Sequence, residues 1–138
     1  SIDELEEVAR VSSITMETVR QRAFKLRETN PMLGHRGCRL AITYPEICRM
    51  QARAIFEAAC VVAQVNDNPP SPEIMVPLAA TAQEIALCKK EIDNTAAEVM
   101  AEKGITIPYL VGTMIELPRS SICAAELARE GRIFLIWH

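Results

Sequence analysis

The 138-residue sequence is poor in histidine and in aromatic residues, and it lacks the cysteine spacing of a metal site or a disulfide framework. Aromatic residues make up 4% of it, it has two histidines, and its five cysteines contain no CxxC pair. Widely spaced cysteines in odd number argue against a disulfide scaffold, and so few histidines argue against a zinc site. We therefore expect an aliphatic core and reduced thiols in a soluble, intracellular protein.

The sequence also lacks an excess of positive charge and a long apolar run. Its net charge is −3, with acids and bases interspersed, which predicts neither nucleic acid nor an anionic membrane as a partner. No apolar run approaches the length that spans a bilayer. The acidic start "SIDELEE" lacks the layout of a secretory signal, so we expect none.

The sequence divides into two segments with different hydrophobic patterns. Residues 2–28 predict two short helices separated at "SSIT", with Ser1 and Glu4 as a capping box. From Gly34 onward, strands alternate with helices. We predict strands in "GCRLAIT" (37–43) and over 72–78, 107–117 and 132–137, and helices over 43–65 (capped by Thr43), 81–104 (capped by "TAQE") and 120–130.

This order, β-α-β-α-β-α-β, predicts an α/β fold, because continuously apolar strands are typical of a parallel sheet covered by helices. Periodicity alone leaves two architectures open, a doubly wound sheet and a partial (β/α)₈ TIM barrel of about four βα units. We predict an N-terminal helical segment over residues 1–33 and the α/β domain over residues 34–138.

Ligands of parallel α/β folds bind at the carboxyl ends of the strands, and Glu116 ends the apolar stretch "YLVGTMIE". An ionised carboxylate there is costly unless it is paired or bound to a metal, and Mg²⁺ suits one or two carboxylates. The alternative is a glutamate that caps its own loop or pairs with Arg119.

The second candidate is "GHRGCR" (34–39), in which two glycines allow a close approach of the backbone and Arg36 offers a fork for phosphate or carboxylate. The alternative is a surface turn with a solvated arginine. His35 is either a general acid or base or, as we favour, structural. We interpret Cys38 and Cys123 as packing residues, since neither has an evident base partner.

Three stretches together, "NPMLGHRGCRLAITYPEI", "PEIMVPL" and "VGTMIELPR", resemble the phosphoenolpyruvate-binding barrel of the pyruvate, phosphate dikinases, a phosphoenolpyruvate-utilising family. The resemblance implies a (β/α)₈ barrel that binds phosphoenolpyruvate or pyruvate with Mg²⁺. It also implies a phosphotransferase in which phosphoryl moves to a histidine on another domain, and a homodimer at full length. Arg36 matches the family's phosphate-binding arginine, and Glu116 matches its metal-binding glutamate.

The departures from the family pattern matter as well. The second metal ligand, the aspartate of "GTND", is expected after the strand that follows Glu116, where this sequence reads "RIFLIWH". The "CGxCGE" cysteine, the phosphohistidine domain and the ATP-grasp domain are also missing. We therefore predict an inactive fragment, with two alternatives: a fragment of phosphoenolpyruvate synthase or phosphotransferase-system enzyme I, or a non-catalytic binding or assembly module.

Overall fold

The computed structural model describes residues 2–26, 31–66, 68–131 and 134–136. The chain divides into two compact units, residues 1–34 and residues 35–138. None of the described helices combines the length and the apolar character that crossing a membrane requires.

The first unit contains two short helices, α1 (Ile2–Ser12) and α2 (Met16–Leu26), and a 3₁₀ turn at Pro31–Leu33. Ser13, in the link between the helices, adopts a positive φ of 54°. Thr15 then accepts a hydrogen bond from the backbone N–H of Thr18, 3.3 Å away, as an N-terminal cap does. The prediction of two helices is confirmed, whereas its capping residue Ser1 lies outside the described residues.

The second unit opens with a helix, α3 (Cys38–Thr43), so the strand predicted in "GCRLAIT" is wrong. Cys38 and Ala41, three positions apart, both pack against the core, which is the spacing of a helix and not of a strand. Gly37 turns the chain into α3 with φ 58° and ψ −134°, a conformation that favours glycine. An apolar pattern this short fits both the helical period and the strand period, so contacts with the rest of the fold decide which element forms.

Helix α4 (Pro45–Val65) begins one position later than a Thr43 cap would allow. Proline at the first helical position presets the helical φ, and Tyr44 occupies the cap position without a side-chain hydrogen bond. The hydroxyl of Thr43 instead donates to the carbonyl of Arg39, 2.8 Å away, within α3. The predicted cap is therefore wrong, although the helix itself is confirmed.

Three parallel strands follow among the described residues: β1 (Glu73–Val76), β2 (Leu110–Ile115) and β3 (Phe134–Ile136). Their order in the sheet is β1-β2-β3, with Val76 opposite Thr113 and Ile115 opposite Ile136. The three later predicted strands are thus confirmed at these bounds, and the α/β class is confirmed with three described strands instead of four.

The remaining helices are α5 (Ala82–Lys103), α6 (Pro118–Ile122) and α7 (Ala124–Glu130). The predicted capping box of α5 is present in full between Thr81 and Glu84, and Gly104 ends the helix in the left-handed conformation. The single helix predicted over residues 120–130 is wrong, because Cys123 separates α6 from α7.

Helix α5 packs against α4 on one side and α7 on another, and both α5 and α7 contact β2. Most of the buried side chains are aliphatic, and the ring of Phe56 is fully buried and meets the ring of Tyr109 edge-on at 4.9 Å. Val111 and Ile115, four positions apart on one face of β2, both belong to this core. Because all three strands are parallel, their carboxyl ends, and the loops that follow them, share one edge of the sheet.

Candidate functional site

Glu116 directly follows β2 and is partly buried. Its Oε1 accepts a hydrogen bond from the backbone N–H of Leu78, 2.8 Å away, so it joins the end of β2 to the loop after β1. It does not cap its own loop, because Ser120 accepts the backbone N–H of Leu117 there, at 3.0 Å. In the part of the chain that the structure describes, no ion pair joins Glu116 to Arg119.

The turn after β1, Pro77–Leu78, presents the N–H that Glu116 accepts. Leu78 is buried and adopts a positive φ of 60°, which is rare for a leucine. Beyond Ala79, the backbone N–H groups of Ala80 and Thr81 both donate to Oε2 of Glu84, at 2.8 and 2.9 Å. Glu84 therefore accepts the N–H groups at the start of α5, whereas the Leu78 N–H donates to Glu116.

The loop that contains Arg36 lies against this same turn. The backbone N–H of Cys38 donates to the carbonyl of Pro77, 3.0 Å away, and the Cys38 thiol donates to the carbonyl of Leu78 at 3.2 Å. A Cβ added to Gly37 would lie 2.9 Å from the Pro77 oxygen. The structure thus brings the backbone next to Arg36 and the carboxylate of Glu116 to one turn, and the Arg36 side chain is exposed.

His35 contacts its own segment of the chain. Its Nε2 lies 3.1 Å from the hydroxyl of Thr43, and its ring lies 5.8 Å from that of Tyr44. These contacts fold the imidazole onto α3 and the start of α4. They support the structural interpretation of His35 over a role as general acid or base.

The buried thiols are poor nucleophiles. Burial raises the pKa of Cys38 to about 11 and that of Cys88 to about 12, from an ordinary value of 9.0. Both thiols are therefore protonated at neutral pH, and only a thiolate attacks. Cys38 is fully buried in the core, which confirms the prediction that it packs, and its thiol additionally acts as a hydrogen-bond donor.

The described residues contain no group of three or more histidine, cysteine, aspartate or glutamate side chains arranged to hold a metal ion. An apolar cavity of about 400 Å³ lies beside β1, lined in part by Leu40, Ile47 and Ile74. Neither Arg36 nor Glu116 lines it. We therefore locate the candidate site at the loops after β1 and β2 and not in this cavity, because polar groups converge at the loops.

Sequence reasoning does not find the part played by Leu78. Pro77, directly after an apolar strand, is the single local signal of a sharp turn there. Leu78, whose φ is positive, forms hydrogen bonds with Cys38 and Glu116, each about forty positions away in the chain. Only the folded arrangement reveals it.

Comparison with known proteins identifies the family. The model of the PEP-binding domain of PEP-utilising enzymes matches residues 3–136. The chain belongs to this family. Its PEP-binding domain is the part that the resemblance of the three sequence stretches predicts, and that prediction is confirmed.

The chain is similar to several pyruvate, phosphate dikinases. It is 52% identical over 132 residues to that of Rhizobium meliloti (strain 1021), covering 96% of this chain and 15% of the relative. It is 50% identical over 130 residues to the chloroplastic pyruvate, phosphate dikinase 1 of Arabidopsis thaliana, covering 93% of this chain and 13% of the relative. It is 42% identical over 132 residues to the pyruvate, phosphate dikinase of Clostridium symbiosum, covering 96% of this chain and 15% of the relative. The chain thus spans about one seventh of these relatives.

Proposed function

We propose that this chain carries part of a phosphoenolpyruvate or pyruvate and Mg²⁺ site, used for phosphoryl transfer between phosphoenolpyruvate and a histidine on another domain. The observation that carries the proposal is the Leu78 N–H···Glu116 hydrogen bond at 2.8 Å. It joins the candidate carboxylate to the turn on which the Arg36 loop rests. Membership of the PEP-utilising family supplies the substrate class.

The proposed role of Arg36 is to neutralise the substrate phosphate. Phosphoryl transfer needs little covalent help from a protein, and it depends on positioning and on neutralising the charge of the equatorial oxygens. A planar guanidinium binds two phosphate oxygens at once, and Arg36 presents an exposed one on a loop fixed by Gly37 and Cys38.

The proposed role of Glu116 is to hold Mg²⁺. Mg²⁺ takes one or two carboxylates and completes its octahedron with water and substrate oxygens, so a single glutamate fits it even though no three-ligand cluster occurs among the described residues. The bond from Leu78 engages Oε1 and orients the carboxylate. When bound, the ion would neutralise charge on the phosphate and on the enolate oxygen of pyruvate.

We further propose that residues 34–138 are a segment of a (β/α)₈ barrel, with residues 1–33 as a helical lead-in. The sheet order β1-β2-β3 follows the chain without reversal, whereas a doubly wound sheet reverses direction at its switch point. Helices α5 and α7, which follow β1 and β2, contact each other and β2, as neighbours on one face of a sheet do. Both features support a barrel segment.

The chain alone is expected to show no turnover. It spans about one seventh of the dikinases it resembles. The resemblance to this family implies that the histidine which carries the phosphoryl group is on another domain. Arg36 and Glu116 alone would leave most of the charge of bound phosphoenolpyruvate and Mg²⁺ without a compensating charge from the protein. An assay of phosphoenolpyruvate-dependent protein phosphorylation checks this expectation, and measurable turnover by the 138 residues contradicts it.

Calorimetric titration of the chain with phosphoenolpyruvate in Mg²⁺ tests the proposal. We expect Arg36→Gln to weaken binding by about 10-fold or more, since a charge-assisted hydrogen bond contributes about 1.5–3 kcal/mol. Glu116→Gln is expected to abolish the dependence on Mg²⁺. The matched controls are Arg129→Gln, at the end of α7, and Glu73→Gln, at the amino end of β1.

Equal effects of the site variants and the controls would refute the proposed site. An unmodified chain that binds neither phosphoenolpyruvate nor Mg²⁺ would favour the non-catalytic module instead. Binding that is lost in Arg36→Gln and loses its Mg²⁺ dependence in Glu116→Gln would support a partial substrate site.

A further inference from the structure

The turn at Pro77–Leu78 is held from one side by a single residue, Cys38. Its backbone N–H donates to the Pro77 carbonyl at 3.0 Å, and its thiol donates to the Leu78 carbonyl at 3.2 Å. The N–H of the same Leu78 donates to Glu116. Two consecutive carbonyls are thus fixed by Cys38, and the N–H between them is directed at the carboxylate.

We infer that Cys38 is a positioning residue for Glu116: it holds the Pro77–Leu78 turn in the orientation in which the Leu78 N–H meets the carboxylate. The inference deepens the proposed function and rests on it for its consequence in binding. A leucine with positive φ persists only where the surroundings hold it, because the conformation is disfavoured for residues with a Cβ. The two bonds from Cys38 and the bond to Glu116 supply that constraint.

The chemistry of the thiol agrees with this role. Cys38 is fully buried, and its raised pKa keeps the proton on sulfur at neutral pH, so the S–H donor is present. The Leu78 carbonyl that receives it belongs to a residue that is itself buried, and leaving such an acceptor unpaired is costly. A thiol that only filled space would have no effect on the hydrogen bond between Leu78 and Glu116.

Substitutions at position 38 separate positioning from packing. Cys38→Ser keeps a donor of similar size, and Cys38→Ala removes it. If Cys38 only packs, serine is no better than alanine, because it introduces a hydroxyl into an apolar core. If Cys38 positions the turn, serine preserves the Leu78–Glu116 bond better than alanine does.

Amide hydrogen exchange of the 138-residue chain, followed by NMR, measures that bond directly at Leu78. We expect Cys38→Ala to speed exchange of the Leu78 amide by about 10-fold, the size of one hydrogen bond, and Cys38→Ser to stay within about 3-fold of the unmodified chain. Cys60→Ala is the matched control, a fully buried cysteine on α4. It is expected to leave the exchange of Leu78 unchanged.

Titration of the same variants with Mn²⁺ in the presence of phosphoenolpyruvate gives the second measurement. Cys38→Ala is expected to weaken Mn²⁺ binding by a similar factor, and Cys38→Ser to restore it. Should Cys38→Ala fail to fold, Cys38→Ser is compared with Cys38→Val, which fills the space without a donor.

The outcomes separate the two proposals. Unchanged Leu78 exchange in Cys38→Ala, or the same acceleration in the serine variant, overturns the positioning role. Faster exchange in the alanine variant alone upholds that role. If the unmodified chain at the same time binds neither phosphoenolpyruvate nor Mn²⁺, the proposed function fails while the positioning of Glu116 stands.

Discussion

Substituting Gly37 by alanine tests whether the loop of Arg36 is built onto the turn after β1. The φ of 58° and ψ of −134° at Gly37 are reached easily only by glycine, so alanine costs about 1–3 kcal/mol in backbone strain. Its Cβ would lie 2.9 Å from the Pro77 oxygen and 3.2 Å from Leu78 Cβ. Crowding against this buried turn adds about 1–3 kcal/mol. The total, about 2–6 kcal/mol, is a large part of a typical domain stability of about 5–15 kcal/mol.

Gly104→Ala is the matched control, because Gly104 has a similar φ of 65° but nothing within 4 Å of an added Cβ. It is expected to cost only the left-handed conformation, about 1–2 kcal/mol. Urea unfolding of both variants gives the free energy of unfolding by linear extrapolation. If Gly37→Ala is no more destabilising than Gly104→Ala, the close contact with Pro77 does not constrain the loop.

Two further predictions concern the core. Phe56→Ala removes a fully buried ring that meets Tyr109 at 4.9 Å and is expected to lower the free energy of unfolding by about 3–5 kcal/mol, and a loss below about 1 kcal/mol contradicts this packing. Stability is also expected to fall from about pH 9 towards pH 12 in the presence of reductant. Burial raises the pKa of Cys38 to about 11 and of Cys88 to about 12, from 9.0. The unfolded thiols therefore ionise first, and each costs about 1 kcal/mol by pH 10. A flat profile in urea unfolding would contradict it.

Much of the fold follows from local signals in the sequence. The "TAQE" box and Gly104 define α5, since both are signals that a few neighbouring residues complete by themselves. The apolar runs give β1 and β2, because strands covered by helices are continuously apolar. Family membership, too, follows from motifs that the sequence displays openly.

The sequence predictions that are wrong share one physical cause. "GCRLAIT" is too short for its period to be read, and it becomes a helix because Cys38 and Ala41 reach the core together. Thr43 resembles a helix cap, but Pro45 fixes the helix start beyond it, and the hydroxyl turns back to Arg39. In each case a contact between separate segments, or a backbone constraint, overrides a local preference.

The sequence alone predicts part of the candidate site. Glu116 and Arg36 follow from the topology rule and from the family motifs, and their role in binding stays a prediction. The contacts that join them do not follow, because Leu78 bridges two segments that are distant in sequence. No pattern of residue types encodes a positive φ at a buried leucine.

Paramagnetic broadening by Mn²⁺ tests the central claim most directly, namely that the Arg36 loop and Glu116 form one metal and phosphate site. Mn²⁺ is titrated into the ¹⁵N-labelled chain with phosphoenolpyruvate, and the broadening of each described amide is measured. The account predicts the strongest broadening at residues 36–38, 78 and 116–117, little at residue 110 at the opposite end of β2, and loss of the pattern in Glu116→Gln. Broadening that is centred elsewhere, or that survives Glu116→Gln, would contradict it.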